Sequence, residues 1–229
     1  MNIKRSLVKF NESALPESFV ALAVNVSSNM RPYHAAILIR LNNVNYLHHY
    51  GPIPVLQENF DTKDWYIYKV LDIITADDED EVGAFLQHCR RVSVNSKMTY
   101  SFIADGSSYN DAGEFVSGSG LPELGTCVSY CINTLSTALI DSDSYFELDD
   151  WDDSDISEVE DLDNYGLRSA FRKYPNLDKG LYNAYRKRIT PLEYLCSAFI
   201  NEYPIRKDDI HEIIDKVREQ IVKKLTKAA

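Results

Sequence analysis

The sequence predicts an α+β protein in which an antiparallel sheet packs on a helix, followed by a helical C-terminal region. Three observations carry this. Runs rich in β-branched and aromatic residues concentrate before residue 75. Two of them flank Asn42-Asn43, a pair suited to a two-residue hairpin turn. Beyond residue 164 the apolar residues recur at helical spacing.

In order along the chain, SFVALAVNVS (18–27) reads as a strand, and YHAAILIRL (33–41) with VNYLHHYG (44–51) as a hairpin. WYIYKVLDII (65–74) is a further strand. DDEDEVGAFLQHCRRV (77–92) is a helix with acids in its first turn, arginines in its last, and Val82, Phe85, Leu86 and Cys89 on one face. Residues 105–125 contain five of the nine glycines and form a long irregular loop leading to a helix that opens at Thr126. Val128, Ile132, Leu135 and Leu139 mark the core stripe of that helix. Helical patterns follow in YGLRSAFRKY, LYNAYRKR and TPLEYLCSAFINEY, the last with Thr190, Pro191 and Glu193 as cap, first residue and capping-box partner. A final helix over about 207–226 carries Ile210, Ile213, Ile214, Val217, Ile221 and Leu225 as one stripe.

The formal charge of −11 is local in origin: residues 141–163 hold twelve acids and no base, which leaves 23 acids against 24 bases elsewhere. No Lys or Arg occurs between Lys97 and Arg168, so nucleic acid is not an expected partner, and an anionic membrane would be repelled. The acidic run reads as a solvated linker or surface insert, with docking of a basic protein partner as the other possibility. No run of 18 apolar residues and no export-signal pattern occurs, and four dispersed cysteines suit free thiols, so a cytoplasmic location is expected, with export by a signal-less route open. No cofactor is expected. Cys127 and Cys131 lack a second close Cys/His pair for zinc, GSGLPELG lacks the Lys-Ser/Thr of a phosphate cradle, and a calcium loop starting at Asp150 would need Gly where Asp155 stands.

The stretch GTCVSYCINTL (125–135) raises the question of chemistry. Cys131 lies beside the core stripe and reads as packing. Cys127 lies in the first helical turn after a glycine-rich loop, where unpaired amides and the helix dipole favour a thiolate and the backbone N–H can meet an oxyanion. Such a nucleophile needs a histidine base and a group to orient it. His88 on an amphipathic helix and His211 on the last helix read as border residues. His34 opens a strand after Pro32, a place from which a sheet-rim side chain can approach a helix start. A two-residue turn sets Ala36 opposite His49, on the face of His34, so His49 is the first candidate orienting residue; a three-residue turn offers His48 instead.

YHAAILI, LHHYGP and GTCVSYCINTL, in that order, resemble the circularly permuted papain-like thiol enzymes: the permuted branch of the NlpC-type superfamily, the lecithin:retinol acyltransferase group and the permuted isopeptidases. The likeness spans about residues 30–140. It implies a permuted papain-like core with Cys127 as nucleophile, His34 as base and His49 or His48 as the orienting residue, attacking an amide, isopeptide or ester carbonyl. The acyltransferases carry Asn-Cys-Glu-His-Phe at the nucleophile, where this chain has Thr126, Val128, Ser129 and Tyr130. The linear papain order is disfavoured because only His211 follows Cys127. The expected organisation is a catalytic core over 1–140, an acidic insert over 141–163 and a helical region over 164–229. The alternative from another class is a non-catalytic acidic interaction or immunity-type protein.

Overall fold

The computed structural model describes residues 2–11, 16–74, 78–136, 138 and 144–226. A short helix α1 (Ile3–Ser6) precedes strands β1 (Leu7–Lys9), β2 (Phe19–Val26), β3 (Pro32–Leu41), β4 (Val44–Tyr50), β5 (Pro54–Glu58) and β6 (Tyr66–Val70). These six strands form one sheet in the order β1-β6-β2-β3-β4-β5, antiparallel throughout. The expected α+β architecture, with an antiparallel sheet, helices packed on it and a helical C-terminal region, is present.

The strand β2 is buried at all eight positions because the sheet has a core on each face. Val20, Leu22 and Val24 join Ala35, Ile37 and Ile39 of β3 in the larger core, whereas Phe19, Ala21 and Ala23 join Ala36, Leu38, Tyr66 and Tyr68 in the smaller. Two-sided burial favours the unbroken apolar run that the sequence shows. Asn42 and Asn43 take φ of +49° and +66°, the left-handed pair of a type I′ turn, and Leu41 pairs with Val44 as expected.

Helix α2 (Glu79–Asn95) is capped by Asp78 and buries Val82, Phe85, Leu86 and Cys89; Asp77, the expected first residue, lies outside the described residues. The expected strand 65–74 ends at Val70. The expected loop 105–125 proves to be partly ordered by short pairings. Strand β7 (Thr99–Tyr100) precedes a hairpin of β8 (Ser108–Tyr109) and β9 (Phe115–Val116), and β10 (Leu124–Gly125) then pairs in parallel with β7. The loop closes on itself at Gly118, where a Cβ would lie 2.3 Å from the Asp105 carbonyl oxygen.

Helix α3 (Cys127–Leu135) is buried on every side except at Cys127, so it is a central helix rather than the one-sided helix its stripe implied; Leu139 lies outside the described residues. Helices α4 (Glu160–Lys173), α5 (Lys179–Ala184), α6 (Pro191–Ser197) and α7 (Lys207–Thr226) complete the chain. The expected capping box at Thr190 and Glu193 forms, and α7 buries Ile210, Ile213, Val217, Ile221 and Leu225. The α5 and α6 segments are shorter than their patterns. No helix among the described residues is long and apolar enough to cross a membrane.

The acidic segment, described from Ser144 onward, lies against the body of the protein. Tyr145, Phe146 and Trp151 belong to the larger core, and Trp151 donates to Glu193 Oε1 at 3.1 Å. Its carboxylates meet the basic residues that follow: Asp150 holds Arg206 through two bonds, Asp163 holds Arg186 through two, Asp153 also holds Arg186, and Glu158 holds Arg188. Part of the negative charge concentrated in sequence is thus matched in space.

Candidate functional site

The start of α3 is held rigidly. Thr126 and Ser129 form a reciprocal capping box, and the Ser129 hydroxyl donates to the Ile103 carbonyl at 2.8 Å. Gly125 must lack a side chain here, since a Cβ would come within 2.8 Å of the Ser129 Cβ. The cap takes the Ser129 N–H, leaving the first-turn amides of Cys127 and Val128 without helical partners, and both act on the Cys127 sulfur.

The sulfur meets the sheet at the start of β3. Leu41 and Val44 flank a two-residue turn, so Leu41, Ile39, Ile37 and Ala35 direct their N–H groups toward β4. The β3–β4 pairing ends at Ala36 and His49, which leaves the Ala35 N–H without a strand partner, and it donates to Cys127 Sγ at 3.4 Å. Because that N–H lies in the plane of the sheet, the thiol sits edge-on in a notch where β4 leaves β3.

His34, the residue before Ala35, projects on the same face as His49, its diagonal neighbour across the ladder; this is the face of Ala36 and the smaller core, opposite the one on which α3 packs. His34 Nε2 lies 3.0 Å from His49 Nδ1, and the rings meet edge to face with centroids 5.1 Å apart. A single proton joins the two nitrogens. If it resides on His34 Nε2, His34 Nδ1 is left as a basic nitrogen. On the same face Asn25 pairs with both His34 and Tyr66, and its side chain bonds the Tyr66 hydroxyl. Among the described residues no hydrogen bond joins Sγ to His34; the resting thiol is held by the Ala35 amide.

Burial controls the protonation states. It lowers His34 to about 4, with His49 adding to the effect, and lowers His49 as well. Burial also raises the Cys127 thiol, against the opposing pull of the Ala35, Val128 and Cys127 amides. Loss of hydration thus opposes the pull of the helix start on the thiol, and burial favours the neutral thiol and the neutral imidazole.

His48 faces the other way. Its Nε2 bonds the Thr134 hydroxyl at 3.1 Å and its ring stacks on Tyr130, both in α3. It is fully buried, and burial, then His49 and His88, lowers it to about 3. A folded value below the unfolded 6.5 means that the unfolded chain takes up the proton first. Stability is thus intact above pH 6.5 and falls toward pH 3. Between pH 7 and 4.5, His48→Phe is expected to remove on the order of 2 kcal/mol of the loss in unfolding free energy. Urea titrations at the two pH values measure this, and equal losses in both proteins would refute it.

Cys131 and Cys89 are buried in the core, His88 is nearly so, and His211 is exposed on α7. All four cysteines are free, and no group of residues among those described is arranged to hold a metal ion. Sequence reasoning missed the Ala35 amide, whose role needs the end of a strand pairing, and the tyrosines around the thiol. Burial raises the phenols of Tyr50, Tyr66 and Tyr100.

Comparison of the chain with protein-family models, curated proteins and solved structures gave no match.

Proposed function

We propose that this protein is a cysteine-dependent hydrolase or acyltransferase acting on an amide, isopeptide or ester carbonyl. The observation that carries the reading is the Cys127 thiol at a capped helix start, bonded to the strand amide that follows His34, with His34 bonded in turn to His49. The chain order of histidine strand, second strand and cysteine helix supports a permuted papain-like core.

For the step to occur, His34, which projects on the sheet face opposite α3, must reach the thiol around the end of β3; its Nδ1 then accepts the thiol proton as Sγ attacks, so an S–C bond forms as the carbonyl oxygen gains charge. The amides of Cys127 and Val128 are positioned to receive that charge. His34 then protonates the departing amine or alcohol, the C–N or C–O bond breaks, and water or another acceptor releases the acyl group from sulfur. His49 keeps the His34 proton on Nε2.

The reading predicts the pH profile. His34 must be neutral to act as base, and burial with His49 sets it at about 4. Acylation by p-nitrophenyl acetate is expected to be flat from pH 5 to 8 and to fall through pH 4, with fluorescence confirming the folded state. An acid limb centred near 6.5 would count against His34 as the buried base. The alternative of an acidic interaction protein drew on residues 141–163, of which Asp149, Asp150, Asp153, Asp155, Glu158 and Asp163 meet basic side chains within the chain.

A further inference from the structure

A phenol inside the core touches the strand that carries His34. Tyr194 of α6 is fully buried, and its hydroxyl donates to the Ala36 carbonyl of β3 at 3.1 Å. Ala36 adjoins Ala35, whose N–H holds the Cys127 thiol, and stands opposite His49, the partner of His34. It is also the last residue of β3 paired with β4, so residues 32–35 beyond it are held on the β2 side alone. The phenol thus pins the base of the strand end that bears His34. Odd-numbered residues of β3 turn their amides toward β4, so the Ala36 carbonyl faces β2 and stands in the ladder opposite Ala23. Tyr194 is a second donor to an oxygen that the sheet already satisfies, and polar satisfaction alone does not call for a hydroxyl there.

The support behind the phenol is rigid. Helix α6 begins with the Thr190–Glu193 capping box, and Glu193 also accepts from Trp151. The Tyr194 carbonyl accepts from the Ser197 hydroxyl at 2.6 Å, and that hydroxyl meets the Tyr145 hydroxyl at 2.9 Å. On the side of α3 the phenol meets the thiol of Cys131, one turn after Cys127. With its proton donated to Ala36, the phenol oxygen is left to accept from that thiol. One side chain joins the strand of the candidate base to the helix of the candidate nucleophile.

We infer that Tyr194 is a positioning residue for the proposed acylation, setting the end of β3, and with it His34, against the start of α3. This rests on Cys127 being the nucleophile and His34 its base. The test compares Tyr194→Phe with Tyr182→Phe, a matched loss of a fully buried hydroxyl, whose partner is the Ser101 hydroxyl at 2.6 Å. Both should lower the melting temperature by about 2–4 °C. Only Tyr194→Phe should slow acylation of Cys127 by p-nitrophenyl acetate, by about tenfold, read by intact-protein mass spectrometry. In a His34→Gln background the same change should cost less than about twofold, because a residue that acts by placing the base has no effect once the base is gone. An unchanged rate in Tyr194→Phe, an equal slowing in Tyr182→Phe, a full tenfold loss on top of His34→Gln, or loss of the fold in Tyr194→Phe overturns the inference alone. If Cys127→Ala or His34→Gln is acylated as fast as the unaltered protein, the nucleophile-and-base reading falls, and the inference with it.

Discussion

Cys127→Ala is expected to reduce acylation by p-nitrophenyl acetate and cleavage of any amide substrate by at least about 10³-fold, with no loss of fold. The side chain is small and partly buried at the edge of the larger core, so its removal leaves the capping box and the Val128 and Ile132 packing in place. His34→Gln should cost a similar factor, because burial favours the neutral thiol, which needs a base to ionise. The two losses should not add, since both groups serve one proton transfer. His49→Ala should cost less, roughly 10–100-fold, below the ~10⁴ associated with a charged orienting group, because neutral His49 supplies orientation without charge. Intact-protein mass spectrometry of the acyl-enzyme checks each step. Full acylation of Cys127→Ala at the wild-type rate would sink the proposed mechanism.

Trp151→Ala should destabilise the protein by about 3–5 kcal/mol, measured by chemical denaturation. The indole is 2% exposed, lies 4.9 Å from the Phe146 ring, and donates to the carboxylate of Glu193, which also caps α6 through the Thr190 N–H. Its loss opens a cavity and leaves one Glu193 oxygen without that donor. Asp149→Asn is the matched control within the same acidic stretch. Its side chain is 96% exposed and 3.8 Å from Lys187, so the change should stay within about 0.5 kcal/mol. A cost below about 1 kcal/mol for Trp151→Ala would show that the segment is not built into the core.

How far the sequence reached differs between elements for physical reasons. The β3–β4 hairpin was readable with its register because Asn-Asn supplies the positive φ pair locally and the side-chain period is two, so one turn assigns every face. The α3 start was readable from Gly125, Thr126 and the following spacing. Strands β1 and β5 escaped notice because three residues and a Pro-initiated edge strand carry little periodic signal. The helix expected over TPLEYLCSAFINEY is only seven residues long, and Ala198, Phe199, Ile200 and Tyr203 of its tail pack on the larger core outside the helix.

The acidic segment separates the two kinds of information most clearly. Twelve carboxylates in 23 residues read as a solvated run, while Arg186, Arg188 and Arg206, which meet four of them, lie 23 to 56 positions away in sequence. Local composition records charge, and only folding decides what stands opposite it.

The same division holds at the candidate site. The sequence by itself determined which residues could act, because a cysteine at a helix start and histidines on a two-residue hairpin are local, periodic features. Tertiary structure decided their state: His49 rather than His48 faces His34, Cys127 rests on the Ala35 amide, and burial favours the neutral thiol. Hydration and strand termination depend on every element packed around a group, and neither is written at the position of the group itself.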